Sequence, residues 1–122
     1  MTTDQLSRTF AALADPTRRD LVARLAHQDA TLVELAGSYR MSLQAVSKHL
    51  TVLEHAGLVT RRREAQRRPV HLEADVLDSM TQWLDRYRHQ AEERYRRLAA
   101  VLADLPTAEP TPETATRPSD VD

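Results

Sequence analysis

The stretch Thr31–Leu58, TLVELAGSYRMSLQAVSKHLTVLEHAGL, decides how this chain is to be read. Thr31 followed three residues later by Glu34 has the pattern of a capping box, in which a hydroxyl and a carboxylate satisfy each other's free backbone N–H groups at a helix start. The short helix that follows turns Leu32, Leu35 and Ala36 inward, Gly37 suits its end, and Ser38–Met41 form a turn. Ser42 is then placed as the N-cap of a second helix that runs to about Ala56 and stops at Gly57. On that helix Val46, Leu50 and Leu53 fall at i, i+4 and i+7, an inward stripe. Gln44, Ser47, Lys48 and Thr51 lie on a face displaced by about half a turn.

The chemistry of that polar face suits the edges of bases. Gln can make two hydrogen bonds to adenine, Ser and Thr accept either partner, and Lys reaches guanine or phosphate. Small Ala45 permits close approach. An ordinary solvated face is the bland alternative. Here the face is poor in Glu and follows a turn of the length that helix-pair DNA readers use, which favours entry into a major groove.

Downstream, Leu58–Thr60 and Val70–Leu72 are short β-like segments around a charged stretch, the pattern of a two-stranded hairpin. Its tip carries Arg61, Arg62, Arg63, Arg67 and Arg68 against Glu64 alone, with Gln66 beside them. Such a cluster repels itself unless a polyanion is present, and it fits phosphate clamping or minor-groove insertion. Upstream, Leu6, Phe10 and Leu13 recur at helical spacing. Asp15-Pro16 then opens a second helix, with Leu21, Val22 and Leu25 inward and an end near His27.

From Asp75 to about Leu102 a long helix is expected, its stripe of Leu77, Met80, Leu84, Tyr87, Ala91, Tyr95, Leu98 and Leu102 stepping by threes and fours. So small a domain has little core left to cover it, and the economical partner is the same helix of a second copy. Beyond Leu105 the chain becomes acidic and holds four of the six prolines with almost no large apolar group, a composition that predicts disorder. The organisation expected is therefore a domain over residues 1–103 and a tail over 104–122.

Composition bounds the function. With 122 residues there is room for one small domain, and 4% aromatic content favours packed aliphatic helices over a β-sandwich. No cysteine is present, so disulfides, thiolate metal sites and thiol nucleophiles are excluded. No apolar run approaches the roughly 20 residues that span a bilayer, and the cytoplasm is the expected compartment. The overall charge of −1 conceals its distribution: residues 40–71 carry seven basic against two acidic side chains, net +5, and residues 104–122 one against five, net −4. Phosphate affinity follows the local field.

LADPTRRDLVARL (residues 13–25) and AVSKHLTVLEHAGLVTRRRE (residues 45–64) resemble the ArsR/SmtB family of winged helix-turn-helix repressors, over roughly residues 5–102. WLDRYRHQAEERYRRL (residues 83–98) is similar to a metal-independent branch often encoded beside START/SRPBCC ligand-binding proteins. The resemblance implies a mainly α fold of about five helices with a two-stranded β wing. It also implies a homodimer joined through the first and last helices, a fourth helix in the major groove, and repression by promoter occlusion on an inverted repeat. The DNA-binding set is then Arg40, Ser42, Leu43, Gln44, Ala45, Ser47, Lys48, His49 and Thr51, with Arg61, Arg62, Arg63, Gln66, Arg67 and Arg68 on the wing. The dimer set is Leu6, Phe10, Leu77, Met80, Leu84, Tyr87, Ala91, Tyr95 and Leu98. Two departures stand out: relatives commonly have Gln where this chain has Leu43, and Gly in the wing turn that here reads Glu64-Ala65-Gln66.

No cofactor or metal is expected. Metal-binding relatives use Cys-x-Cys on the third helix, here Leu32–Leu35, or an Asp/His set on the last helix, here Ala74, Val76, Tyr87 and Gln90. None of these is a good zinc ligand. His89 and Glu92 share a helix face, but Arg86, Arg88 and Arg96 crowd it. His49 and His55 are better read as packing or meeting phosphate. Enzyme readings fail too. Gly37 and Gly57 are the only glycines, and the pairs Asp15/Asp20 and Asp75/Asp78 sit where helix starts favour negative charge. Adjacent Ser47 and His49 point to different faces. The alternatives to a DNA-binding repressor are a metal-responsive repressor with non-cysteine ligands and a helical protein-interaction module.

Overall fold

The computed structural model describes residues 2–106. Along the chain these form α1 (Thr3–Ala12), α2 (Pro16–Leu25), α3 (Leu32–Ala36), α4 (Leu43–His55), β1 (Val59–Arg61), β2 (Val70–Leu72) and α5 (Ala74–Asp104). The architecture is the mainly α one expected, five helices and one antiparallel hairpin.

Four helix starts follow directly from local chemistry. The Thr2 hydroxyl accepts from the Gln5 N–H at 3.1 Å, and the Asp15 carboxylate accepts from Arg18 N–H at 3.1 Å with Pro16 opening α2. At α3 both arms of the capping box are made: Glu34 N–H donates to the Thr31 hydroxyl at 3.2 Å, and Thr31 N–H donates to the Glu34 carboxylate at 2.9 Å. Ser42 accepts from Ala45 N–H at 3.1 Å to open α4. Each such cap contributes about 1 kcal/mol by satisfying donors that no helical carbonyl can reach.

The end of α4 is equally determined. Gly57 adopts φ +82, its N–H donates to the Glu54 carbonyl at 3.0 Å, and Leu58 N–H reaches back to the Leu53 carbonyl at 3.0 Å. This double closure needs a left-handed residue, which glycine supplies without steric cost. Gly37, by contrast, caps α3 with φ −62, where any residue would serve. α2 ends at Leu25, about two residues sooner than the apolar pattern suggested.

The chain divides into two compact units between Leu84 and Asp85. In the first, Leu21, Leu25, Leu35, Val46, Leu50, Leu53, Leu58, Val59 and Val70 make a shared core. The α4 stripe of Val46, Leu50 and Leu53 is completely buried, so the helix cannot roll without exposing it. β1 and β2 pair antiparallel with Val59 opposite Leu72 and Arg61 opposite Val70, one residue further along than the Leu58–Thr60 segment anticipated for β1. A single bridge between Ala30 and Val70 pins this hairpin to the connection before α3.

The first turns of α5 also belong to this core, which corrects part of the expected partner surface. Met80 is only 5% exposed and is buried inside its own protomer. The cause is proximity: α5 begins two residues after β2, so its early inward positions meet the core already packed against the sheet. Leu6, Phe10 and Leu77 are half-buried against the same core, and the Phe10 and Trp83 rings lie 5.7 Å apart.

The second unit, among the described residues, is the remainder of α5 and its exit. Here Tyr87, Tyr95, Leu98, Val101 and Leu102 are each 47–68% exposed. Its polar positions are laced by ion pairs such as Arg88–Glu92 at 2.8 Å and Arg96–Glu93 at 2.7 Å. The acidic, proline-rich tail expected from 104 lies almost wholly outside the described residues.

Candidate nucleic-acid interface

The α3–turn–α4 pair is held from behind by polar contacts from α2. The Tyr39 hydroxyl, in the turn, donates to the Asp20 carboxylate at 2.5 Å. Arg24 Nε donates to the same carboxylate at 2.9 Å and to the Tyr39 oxygen at 3.1 Å, while its Nη1 donates to the Ser38 hydroxyl at 3.2 Å. The guanidinium also lies over the Tyr39 ring, 5.2 Å from its centre. Burial, then donation to Asp20, pushes the Tyr39 hydroxyl up to about 12, so it remains a donor at neutral pH. Tyr39 and then Arg24 hold the Asp20 carboxyl below the usual carboxylate range. A turn joined to α2 in this way presents α4 at a fixed angle.

On α4, Leu43, Gln44 and Lys48 are exposed, while Ala45, Ser47 and Thr51 are half-buried. Two of the small hydroxyls are already used locally: Ser42 as the cap, and Thr51, which donates to the Ser47 carbonyl at 3.0 Å. Gln44 and Lys48 therefore form the projecting centre of the face. Leu43 is 47% exposed at the first helical position and extends it with an apolar contact surface.

His49 does not join this face. It is half-buried, and its Nδ1 accepts from Arg18 Nη1 at 3.1 Å. Lying three residues after Val46 and one before Leu50, it sits at the edge of the apolar stripe, about a third of a turn from the centre of the Gln44–Lys48 face. Arg18 Nε also donates to the Ala12 carbonyl at 2.6 Å, so one guanidinium joins the end of α1 to α4.

The wing sorts its arginines. Arg61 is in β1, its side chain only 19% exposed and its Nε 3.5 Å from the Glu54 carboxylate, buried and without a hydrogen bond. Its place in the strand turns it back toward α4, so it is not a free tip residue. Arg67 reaches α3, donating to both Glu34 oxygens at 3.0 and 3.2 Å. Arg62, Arg63 and Arg68, with Arg40 and Lys48, are exposed and form no ion pair with the described residues. The tip closes in two residues: Glu64 and Arg67 exchange backbone hydrogen bonds at 2.9 and 2.8 Å, with Ala65 at φ +56. A glycine-free turn is thus made by placing one alanine in the left-handed region.

Two contributors were not anticipated as part of the reading head. The Asp20/Arg24 pair was legible as an i, i+4 spacing, but its capture of Tyr39 was not. Arg18 to His49 spans 31 positions, and no local pattern announces it. Among the described residues no three His, Cys, Asp or Glu side chains gather as a metal site would need. His89 Nδ1 and Glu92 Oε1 stand 3.9 Å apart on an exposed helix surface.

A helix-turn-helix domain model matches residues 13–62, the segment just described. HTH-type transcriptional regulator Rv2034 of Mycobacterium tuberculosis is 42% identical over 91 residues, covering 75% of this chain and 85% of the relative. The solved structure of an ArsR-like transcriptional regulator from Rhodococcus sp. RHA1 is similar with a TM-score of 0.68 and 32% identity, covering 80% of this chain and 90% of that one. The chain belongs to the ArsR/SmtB family of winged helix-turn-helix transcriptional regulators. A further likeness, at a TM-score of 0.58 and 28% identity over 70% of this chain and 80% of the other, is to the homodimeric winged helix-turn-helix DNA-binding domain of Mb0332 from Mycobacterium bovis. In ArsR/SmtB terms α4 is the reading helix and β1–β2 the wing. This ArsR/SmtB chain is a DNA-binding transcriptional regulator, a non-enzymatic class. Among its described residues no helix is long and apolar enough to cross a membrane.

Proposed function

We propose that this regulator is a homodimeric repressor that occludes a promoter by binding an inverted repeat, acting in the cytoplasm without a bound metal. The observation that carries the reading is the exposed Gln44–Lys48 face together with three wing arginines, Arg62, Arg63 and Arg68, that form no ion pair with the described residues. Gln44 and Lys48 read bases, Leu43 contacts a thymine methyl, and the free arginines with Arg40 grip phosphate. A two-fold dimer sets half-sites about one helical turn, roughly 34–36 Å, apart. Support for the dimer comes from the exposed Leu84, Tyr87, Tyr95 and Leu98 and from the homodimeric relative. Support for metal independence comes from the absence of cysteine and from Ala74, Val76, Tyr87 and Gln90 at positions where relatives place ligands.

The test is selection of bound sequences from a genomic pool, followed by anisotropy titrations on the selected operator and on random DNA at several salt concentrations. Operator preference with a steep salt slope supports the reading; equal affinity for both DNAs sinks it. A reporter behind the operator must fall on expression of the protein if it represses. Sedimentation should show a dimer that Leu84→Glu disrupts, and zinc or chelator should leave operator affinity unchanged.

A further inference from the structure

A small cavity of about 230 Å³ lies where α1, α2 and α4 meet, with an apolar floor of Ala12, Val52 and Ala56. Arg8, Arg18 and His55 ring it, and among the described residues no carboxylate lines it, the nearby Asp15 carboxylate being engaged with the Arg18 backbone N–H at 3.1 Å. Arg8 is exposed and forms no ion pair with the described residues, so one cation at the rim is unmatched. The larger cavity of about 590 Å³ beside α3 differs in kind, because its Arg67 is already matched by Glu34 and its Arg24 by Asp20. An apolar floor between Arg8 and Arg18, whose guanidinium holds only carbonyls and the His49 imidazole, selects a compact organic carboxylate: the ring or branched chain on the floor, the charge on the arginines.

Position gives the site its consequence. Along α1, Arg8, Ala11 and Ala12 face about half a turn away from Leu6 and Phe10, so a partner protomer on the latter leaves the cavity open. Arg18 is the shared element. Its Nη1 donates to His49 of the reading helix, while its Nη2 contact with the Ala11 carbonyl is long, at 3.5 Å. A carboxylate that takes both terminal nitrogens in a fork displaces His49 and unties α4 from the end of α1. It also places a negative charge beside a helix that must approach phosphate, so both effects act in one direction.

We propose that this cavity is an effector site for a small carboxylate with an apolar body, and that its occupation weakens operator binding. The first half stands on the cavity alone; the second rests on the proposed reading of DNA by α4. The probe is benzoate, titrated at constant ionic strength into the full-length ¹⁵N-labelled protein without DNA, with benzamide as the uncharged control. Saturable shifts at the amides of Arg8, Val52 and Ala56 are expected with benzoate and not with benzamide. Arg8→Gln, an exposed and unpaired position, should weaken binding at least five-fold, and Arg8→Lys should restore much of it. Shifts that do not saturate, that benzamide reproduces, or that survive Arg8→Gln unchanged overturn the site. Saturating benzoate should then lower operator affinity at least five-fold, the low end of ordinary allosteric couplings, with a smaller loss in Arg8→Gln. Saturation of the cavity with operator affinity unchanged overturns the regulatory role, while the DNA-free titration stands apart from whether α4 reads DNA.

Discussion

Helix α4 and the tip of the β1–β2 wing, the two surfaces proposed to meet DNA, are held in place by different physics. α4 is fixed by burial: Val46, Leu50 and Leu53 have no exposure, and a hydroxyl cap and a glycine turn close its ends. Its outer side chains, Gln44 and Lys48, project into solvent. The wing is only three residues per strand; Val59 and Val70 anchor its base in the core, while its outer part is held by two ion pairs, Arg61–Glu54 and Arg67–Glu34. Some of its charge is therefore spent on anchoring. Rigid presentation suits sequence discrimination, which needs fixed donor and acceptor geometry; a lightly tethered arm suits phosphate contact, which tolerates displacement.

The sharpest way to break this contrast is to remove the burial. Leu50→Ala should destabilise the protein by about 2–5 kcal/mol in thermal or denaturant unfolding, and DNA binding should fall with the folded fraction. Within the folded protein, Gln44→Ala and Lys48→Ala should each lose about 1–3 kcal/mol of discrimination between operator and a base-substituted operator, measured by competition anisotropy. Gly57→Ala should cost about 1–2 kcal/mol, because φ +82 is unfavourable for any residue with a Cβ; that atom would also lie 3.1 Å from the Gln5 side chain. Arg63→Ala with Arg68→Ala should weaken operator and random DNA alike and lower the salt slope by about two, since phosphate contacts carry no sequence.

The smallest effect probes the tether. Glu34→Gln releases Arg67 to the DNA side, so the salt slope should steepen by less than one in the same titrations. Acid should act in the same way. Thr31 N–H first, and Arg67 after it, hold the Glu34 carboxyl below the usual carboxylate range. Its folded value is depressed, so its contribution is present at neutral pH, above the ordinary value, and is lost as pH falls through the lowered one. The wing should thus stay latched at pH 7 and loosen below the ordinary glutamate range near pH 4, as line broadening at Arg67 would show.

Much of the fold was legible because its signals are local. Asp15-Pro16, Thr31 with Glu34, Ser42 and Gly57 each act within a turn of themselves, and each marks a real boundary. The apolar periods of α4 and α5 were equally readable. What escaped was decided by contacts distant in sequence. His49 looked like part of a reading face until Arg18 claimed it, and Arg61 and Arg67 looked free until Glu54 and Glu34 did. Met80 belonged to a continuous stripe by spacing, yet the core had already taken it. Spacing defines a helix face; only packing determines what occupies it.

The turn at Gly57 has one more consequence. Between the last residue of α4 and the first of β1 there are only three positions, and the double closure there fixes their path. In the proposed reading of DNA, the base-reading helix and the root of the phosphate-gripping wing are thereby joined at a set distance, whatever play the tip retains, and the protein acts as a ruler. An operator with one extra base pair between its core and the flank under the wing would present correct bases and correct phosphates at the wrong separation, and the two could not be engaged together.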